Sequence, residues 1–312
     1  MVNTAEAEAV ARAVLYKGFV LYPDRAAAIK NRQRRTAGQI FPRDFAVAAG
    51  SDPFVMQTQC LVRGSAPIID LKVRFLHAVE RELGILAQPA ASLPDGEPAF
   101  RSVPLLELND RHFVAWQEAA EREIPVAGFT PDEWLNGAAH IPFAFPSLRE
   151  MAPIRRADGM IAAVELRTTG ELAGELILAA EAVAPDAYRV TVRIENTWHC
   201  EPCEVADRNY AQRRAFALTH TILAARGASF VSLLAPPEEL KDAARNCNNQ
   251  GTWPVLVGEP GQTDLVLSSP IILCDYPQPA PESPGDFFDG GAAVEDFGIR
   301  GPNLTDARAR WL

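Results

Sequence analysis

His199-Cys200-Glu201-Pro202-Cys203 sets two thiols at Cys-x-x-Cys spacing with an imidazole beside them. Such a turn aims both sulfurs at one point, so His199, Cys200 and Cys203 could ligate zinc or another transition-metal ion, or carry out thiol redox chemistry. Structural zinc takes four ligands and this element supplies three, with Cys247 a candidate fourth from across the fold. A redox dithiol needs a helix N-terminus in a βαβ setting to depress one thiol pKa. Here the element follows a strand that ends near Glu195. The competing reading is a structural turn with incidental thiols, and Cys60 and Cys274, in apolar strand contexts, read as small buried hydrophobes.

Other reactive residues form no catalytic constellation. His77 and His220 fall within amphipathic patterns and read as satisfied, partly buried side chains, while His112 and His140 carry no pattern. Ser268 and Ser269 lie in a predicted strand without the glycines of a nucleophile elbow, and no phosphate loop, dinucleotide fingerprint or zincin motif occurs. Asp275, Glu282, Asp286 and Asp289 read as solvated charge. An enzyme would have to assemble its site from distant residues, so a non-enzymatic role is the leading expectation and catalytic residues are left unassigned.

Two segments could serve recognition instead. Residues 24–35 hold the densest positive charge of the chain, with Lys30, Arg32, Arg34 and Arg35 at its end. They form either a solvated face or an anion or acidic-partner site, because guanidinium forks match carboxylate and phosphate geometry. The run from Gly251 to Gly261, continuing through Ser268-Ser269-Pro270 to Asp286, has residue identities more particular than a strand-turn-strand requires. It is either a recognition surface, with Trp253, Glu259 and Glu282 as contacts, or a family signature.

The elements that must position these residues follow from periodicity. Asn3 with Glu6 resembles a capping box, and Val10, Val14 and Leu15 predict a helix to about Tyr16. Met56–Val62 and Ile69–Phe75 are expected to pair as an antiparallel hairpin through Gly64-Ser65-Ala66-Pro67. The Pro89–Pro98 run predicts a loop, His112–Glu123 a strand or short helix, and Pro142–Pro153 a connector. Met160–Leu166, Glu175–Ala180 and Tyr188–Glu195 read as strands, the last with Tyr188, Val190, Val192 and Ile194 on its buried face. Helices are expected over Tyr210–Arg226 and from about Pro237 to Asn246, then a final hairpin, Thr252–Val257 with Asp264–Leu273, through a type II turn at Glu259-Pro260-Gly261-Gln262. The acidic, proline-rich tail after Asp275 is expected to lie extended.

These elements predict an α+β fold of antiparallel sheets, sandwich-like or meandering, with a few packed helices. The domain reading is an α+β region over 1–150 and a β-rich region with two helices over 151–312, with one composite domain as the alternative. The formal charge of −10 disfavours nucleic acid and anionic membranes as partners. No run approaches the roughly 20 apolar residues of a membrane span, and Glu6 and Glu8 stand where a signal peptide needs basic charge, so a cytoplasmic location without membrane insertion is expected.

Leu21-Tyr22-Pro23 with Lys30-Asn31-Arg32, Met56-Gln57-Thr58, Val73-Arg74-Phe75-Leu76, and above all Thr252–Gly261 with Leu267–Ile272 and Pro281–Asp286 together resemble an uncharacterised bacterial protein family. Members of that family are commonly encoded with uptake nickel-iron hydrogenases and their accessory proteins. The resemblance implies an accessory or assembly protein that binds a hydrogenase subunit or maturation factor. It carries over no catalytic residue.

Overall fold

Alternating apolar residues build two antiparallel sheets whose buried faces meet in one core. The computed structural model describes residues 4–19, 37–50, 52–135, 137–199, 207–279 and 299–300. Helix α1 (Ala5–Phe19) forms as expected; Asn3 of the expected capping box lies outside the described residues, and the Thr4 hydroxyl donates to Glu8 Oε1 at 2.9 Å. Glu6 and Glu8 set negative charge at the positive end of the helix. Helix α2 (Arg43–Ala49) stops at Gly50, whose φ of 72° lets its N–H return to the Ala46 carbonyl.

Strand β1 (Val55–Arg63) is followed by β2 (Ile68–Ala90), a strand of 23 residues. The two do not form the expected hairpin. β1 pairs elsewhere, in the smaller sheet, and β2 runs through the larger one, so Gly64-Ser65-Ala66-Pro67 crosses between layers. Turn residues specify a reversal of the chain but not the neighbour the next strand will take. β2 also continues to Ala90, so the loop expected from Pro89 begins later.

Next come β3 (Phe100–Val103), β4 (Leu105–Leu108), β5 (Arg111–Val114) and β6 (Trp116–Phe129), which makes His112–Glu123 strand throughout apart from Ala115. Asn109 and Asp110, both at positive φ, close the β4–β5 hairpin as a primed turn. The expected connector at Pro142–Pro153 is instead β7 (Ala139–Phe145) and β8 (Leu148–Arg155). Both are edge strands, where a proline sacrifices no ladder hydrogen bond, so its presence did not rule a strand out. β9 (Ile161–Thr169), β10 (Leu172–Ala184) and β11 (Ala187–Asn196) match the three expected strands, and β11 buries the predicted face.

Helix α3 (Arg208–Arg213) is capped by Asp207, which accepts from the Asn209 and Tyr210 amides. It ends early, and the helix expected to run to Arg226 is instead strand β12 (Ala217–Arg226). Every residue of β12 but the last is buried, so apolar residues line both faces and helical and strand periods cannot be told apart in its sequence. β13 (Ser229–Val231) leads to a 3-10 turn at Glu238–Leu240 and helix α4 (Lys241–Arg245), within the predicted helix but shorter. β14 (Trp253–Leu256) and β15 (Leu265–Ser269) pair as the predicted hairpin. Gln262 N–H donates to the Glu259 carbonyl at 2.9 Å and Gly261 takes a φ of 97°, as a type II turn requires. β16 (Gln278–Pro279) and β17 (Ile299–Arg300) form a small separate ladder.

The smaller sheet has the order β13-β1-β11-β10-β7, and the larger β14-β15-β12-β2-β9-β8, with β3 and β6 on the other side of β2. Both combine strands from either side of residue 150, so the two halves of the chain share one core. Between the sheets, Met56, Cys60, Val190, Val192 and Ile194 face Ile69, Leu71, Val73 and Phe75. Each large apolar side chain buried there contributes about 1.5–3 kcal/mol. Phe75, Phe143, Phe145 and Phe216 pack ring on ring at one end. Gly174 is needed beneath them, since a Cβ there would lie 2.3 Å from Phe143 Cζ. A second cluster joins Ala7, Val10 and Ala11 of α1 to Leu76, Ile222 and Leu267 on the outer face of the larger sheet.

The fold is thus mostly antiparallel sheet with few, short helices, and the helical share of the α+β expectation shrinks with the loss of the long helix at Tyr210. Among the described residues no helix is long and apolar enough to cross a membrane.

Candidate functional site

The C-terminal block is mostly interior. Thr252, Pro254, Val255, Leu256, Val257, Gly258, Ser268 and Ser269 are buried. Ser268 Oγ accepts from Thr58 Oγ1 at 2.8 Å and lies 2.7 Å from Thr252 Oγ1, a chain of hydroxyls that joins the two sheets through their shared core. Asp275 Oδ1 accepts from the Leu256 amide at 2.8 Å and its Oδ2 from the Ser232 hydroxyl, fastening the chain after β15 against β14. The residue specificity of this run therefore has a structural cause, polar pairing inside a core. We expect Ser268→Ala to cost about 1–3 kcal/mol in urea unfolding, since it strands two buried hydroxyls. A cost under roughly 0.5 kcal/mol, the usual range of a surface change, would mean that the hydroxyl chain is incidental.

Two contact candidates of the block do reach the surface. Trp253 is half-buried and lines a small apolar recess with Leu233, Leu234, Ile272 and Leu273, with Asn249 as its polar edge. Glu259 is exposed at the tip of the same hairpin. Lys30, Arg32, Arg34, Arg35 and Glu282 lie outside the described residues.

His199, the described member of the metal candidate, is exposed, and its Nδ1 lies 2.7 Å from Asp44 Oδ2 at the start of α2. Cys200 and Cys203 lie outside the described residues. Cys247 belongs instead to the outer, Leu61 side of the smaller sheet, packed with Leu240 and Ala244 at α4, where its thiol donates to the Ala243 carbonyl. Burial raises the pKa of the Cys60, Cys247 and Cys274 thiols, so all three are poor nucleophiles. Among the described residues no three His, Cys, Asp or Glu side chains gather as a metal site.

The two patterned histidines are more deeply buried than their sequence context predicts. His220 is 1% exposed on the outer face of β12, opposite Arg74 of β2. Its Nδ1 donates to the Leu218 carbonyl at 3.2 Å, which leaves Nε2 without a partner. Leu218 lies in a bulge of β12 at a φ of 53°, costly for a leucine, and its amide and that of Thr219 bond back to the Ala37 and Gly38 carbonyls. Beside it, Arg74 is ion-paired to Glu121, and its Nε lies 2.8 Å from Glu123 Oε1. Lys72 joins Glu8 of α1 to this network at 2.9 Å and holds the Glu8 carboxyl below its usual pKa. Desolvation, aided by Arg74, pushes His220 down to about 4.

His77, fully buried on the opposite face of β2, centres a second cluster. Arg122 of β6 straddles its Nδ1, with Nε and Nη2 each 3.4 Å away, so Nδ1 is the accepting nitrogen and the neutral ring carries its proton on Nε2. Desolvation, with Arg122 and Arg214 nearby, lowers His77 to about 4. Arg214, just after α3, stacks over Tyr210 at 3.8 Å and Trp198 at 5.1 Å, and Arg122 stacks over Phe145 at 5.0 Å. The hub that positions them is Asn196, 1% exposed at the end of β11. Its Nδ2 donates to the Ile40 and Arg214 carbonyls at 3.0 and 2.7 Å, and its Oδ1 accepts the Trp198 amide at 3.1 Å.

Sequence reasoning missed this cluster because its members are spread along the chain from His77 to Arg214 and none belongs to a motif. The legible signals were weak ones: His77 at an inward position of an alternating strand and Asn196 at the end of the clearest strand. Neither a protein-family model nor a curated protein matches this chain.

Proposed function

We propose that this chain is a non-enzymatic, cytoplasmic accessory or assembly protein of a nickel-iron hydrogenase system, acting by binding a hydrogenase subunit or maturation factor. The observation that supports it is Trp253, a half-buried indole over an apolar recess on a hairpin whose strand residues are otherwise buried. Aromatic anchors of this kind dominate protein interfaces. The reactive groups that an enzyme would display serve as packing here, with His77, His220 and Cys60 buried and Ser268 tied into the hydroxyl chain. The pathway itself comes from the resemblance alone.

One observation favours a second reading, in which His199, Cys200 and Cys203 hold zinc or another transition metal. Asp44 engages His199 Nδ1, as a carboxylate does when it orients a metal-binding histidine, and this leaves Nε2 for the ion.

Affinity purification of the tagged chain from cells expressing the hydrogenase operon, with metals measured on the same eluate, separates the two. The expected result is a stoichiometric hydrogenase-related partner, retained by Glu259→Ala and depleted about ten-fold or more in Trp253→Ala, the loss typical of an interface anchor. No such partner from a host producing all of them would overturn the assembly reading. A lone chain carrying metal that Cys200→Ala with Cys203→Ala removes would establish the second.

A further inference from the structure

Among the described residues, the cluster around His77 holds buried N–H donors without an acceptor. Arg214 Nε and Trp198 Nε1 are buried without a hydrogen-bond partner, and His77 Nε2 has only the Gly170 backbone beside it. They are linked in space. Arg214 stacks on Trp198, its Nη1 comes within 3.7 Å of where a Gly170 Cβ would stand, and the Gly170 backbone serves as an acceptor for the His77 ring, which Arg122 contacts from the other side. Neither Arg122 nor Arg214 has a carboxylate within ion-pair distance among the described residues. Arg122 is left with a neutral imidazole nitrogen at the long distance of 3.4 Å. An N–H removed from water without an acceptor costs about 1–3 kcal/mol, and a guanidinium more, so two such donors where neither arginine meets a described carboxylate are a strained arrangement for a merely structural corner.

The missing component is an acceptor with negative charge. We propose that the corner where β2, β6, the β9–β10 turn, Trp198 after β11 and Arg214 after α3 meet is a binding site for a small oxyanion, a carboxylate or phosphate group held between Arg122 and Arg214. Each guanidinium offers a planar fork to such a group, and Trp198 Nε1 is the neutral donor that completes its shell, with the His77 ring beside it. The rings of Trp198, Tyr210 and Phe145 wall the site, which suits a ligand whose anionic group is attached to a flat or apolar body. Asn196 is the positioning residue, since it fixes the backbone of both Arg214 and Trp198. This site shares no residue with the Trp253 recess, and it does not depend on a protein partner.

The test is thermal unfolding of the full chain titrated with inorganic phosphate and, separately, benzoate, at ionic strength held constant with chloride. A saturable rise in midpoint with at least one of them is expected. It should weaken about ten-fold or more in Arg122→Gln and in Arg214→Gln and persist in Arg156→Gln, a surface arginine paired with Asp158. Preference for phosphate or for benzoate assigns the headgroup. Because Arg214→Gln could unsettle the fold, the His77 ring signals of the unmodified protein are followed by NMR in parallel. An anion bound beside the ring must raise the His77 pKa from its low free value. No midpoint rise with either anion at tens of millimolar, an equal rise in all three variants, or an unmoved His77 titration would overturn the site.

Discussion

Asn196→Asp will lower the free energy of unfolding by about 3–5 kcal/mol at neutral pH, and Asn196→Ala by about 2–4 kcal/mol, as buried polar hubs do when broken. The single side chain bonds three main-chain groups, from the segment before α2, the segment after α3 and the segment after β11. Alanine abandons all three. Aspartate keeps the volume and the acceptor for Trp198, but it turns a charged oxygen toward the two carbonyls that now accept at 3.0 and 2.7 Å. A buried carboxylate facing acceptors must either stay ionised at high cost or take up a proton. Aspartate should therefore be the worse substitution at high pH and approach alanine as the pH falls. Chemical denaturation of the two variants at both ends of that range checks this, and equal, pH-independent losses below roughly 1 kcal/mol would show that the hub is not structural.

Stability will also fall steeply in mild acid because of the two buried histidines. Both have folded-state pKa values of about 4 against an ordinary value of 6.5. Between those pH values the unfolded chain binds two protons that the folded chain excludes, so stability is complete above about pH 6.5 and declines as the pH approaches 4. At roughly 1.4 kcal/mol for each pH unit of that interval, each imidazole accounts for a loss of about 3 kcal/mol, an amount comparable to much of a domain's net stability. The carboxylates whose pKa is lowered, Glu8 among them, add to the loss only near the bottom of this window and below it, as the pH falls through their ordinary value of 4.5. Urea midpoints from neutral pH down to about 4 should trace the decline, and His220→Gln, which cannot titrate, should remove about one proton from the slope. An unchanged slope in His220→Gln and in His77→Gln would mean that neither ring stays neutral in the folded protein.

Where one face of a strand is wet, the sequence was legible. Tyr188–Glu195 alternates as read, and the final hairpin was recognisable from its Pro-Gly turn. Legibility failed where both faces are covered. β12 carries apolar residues on either side because α1 lies over one face and the second sheet over the other, so its pattern suggested a helix. Pro142 and Pro153 suggested a connector because nothing local shows that a strand will lie at a sheet edge. The pairing of β1 with β11 and of β2 with β12 is long-range and left no local trace. The conspicuous run Thr252–Gly261 stood out for identities that serve internal hydrogen bonds and packing, whereas the arginine and histidine cluster, joined only by folding, had no pattern to find.

The 23-residue strand β2 has a consequence for how the protein is made. Its first half completes its ladder only with β12, which begins at Ala217, so the larger sheet has a high contact order and cannot close until most of the chain has left the ribosome. Until then β2 can pair with β6 and β9 on part of its length, but the edge awaiting β12 stays open and apolar. A nascent chain in that condition is a client for chaperones. Truncations ending between β11 and β12 should accumulate as aggregates, whereas the full chain should fold slowly from denaturant even under reducing, metal-free conditions.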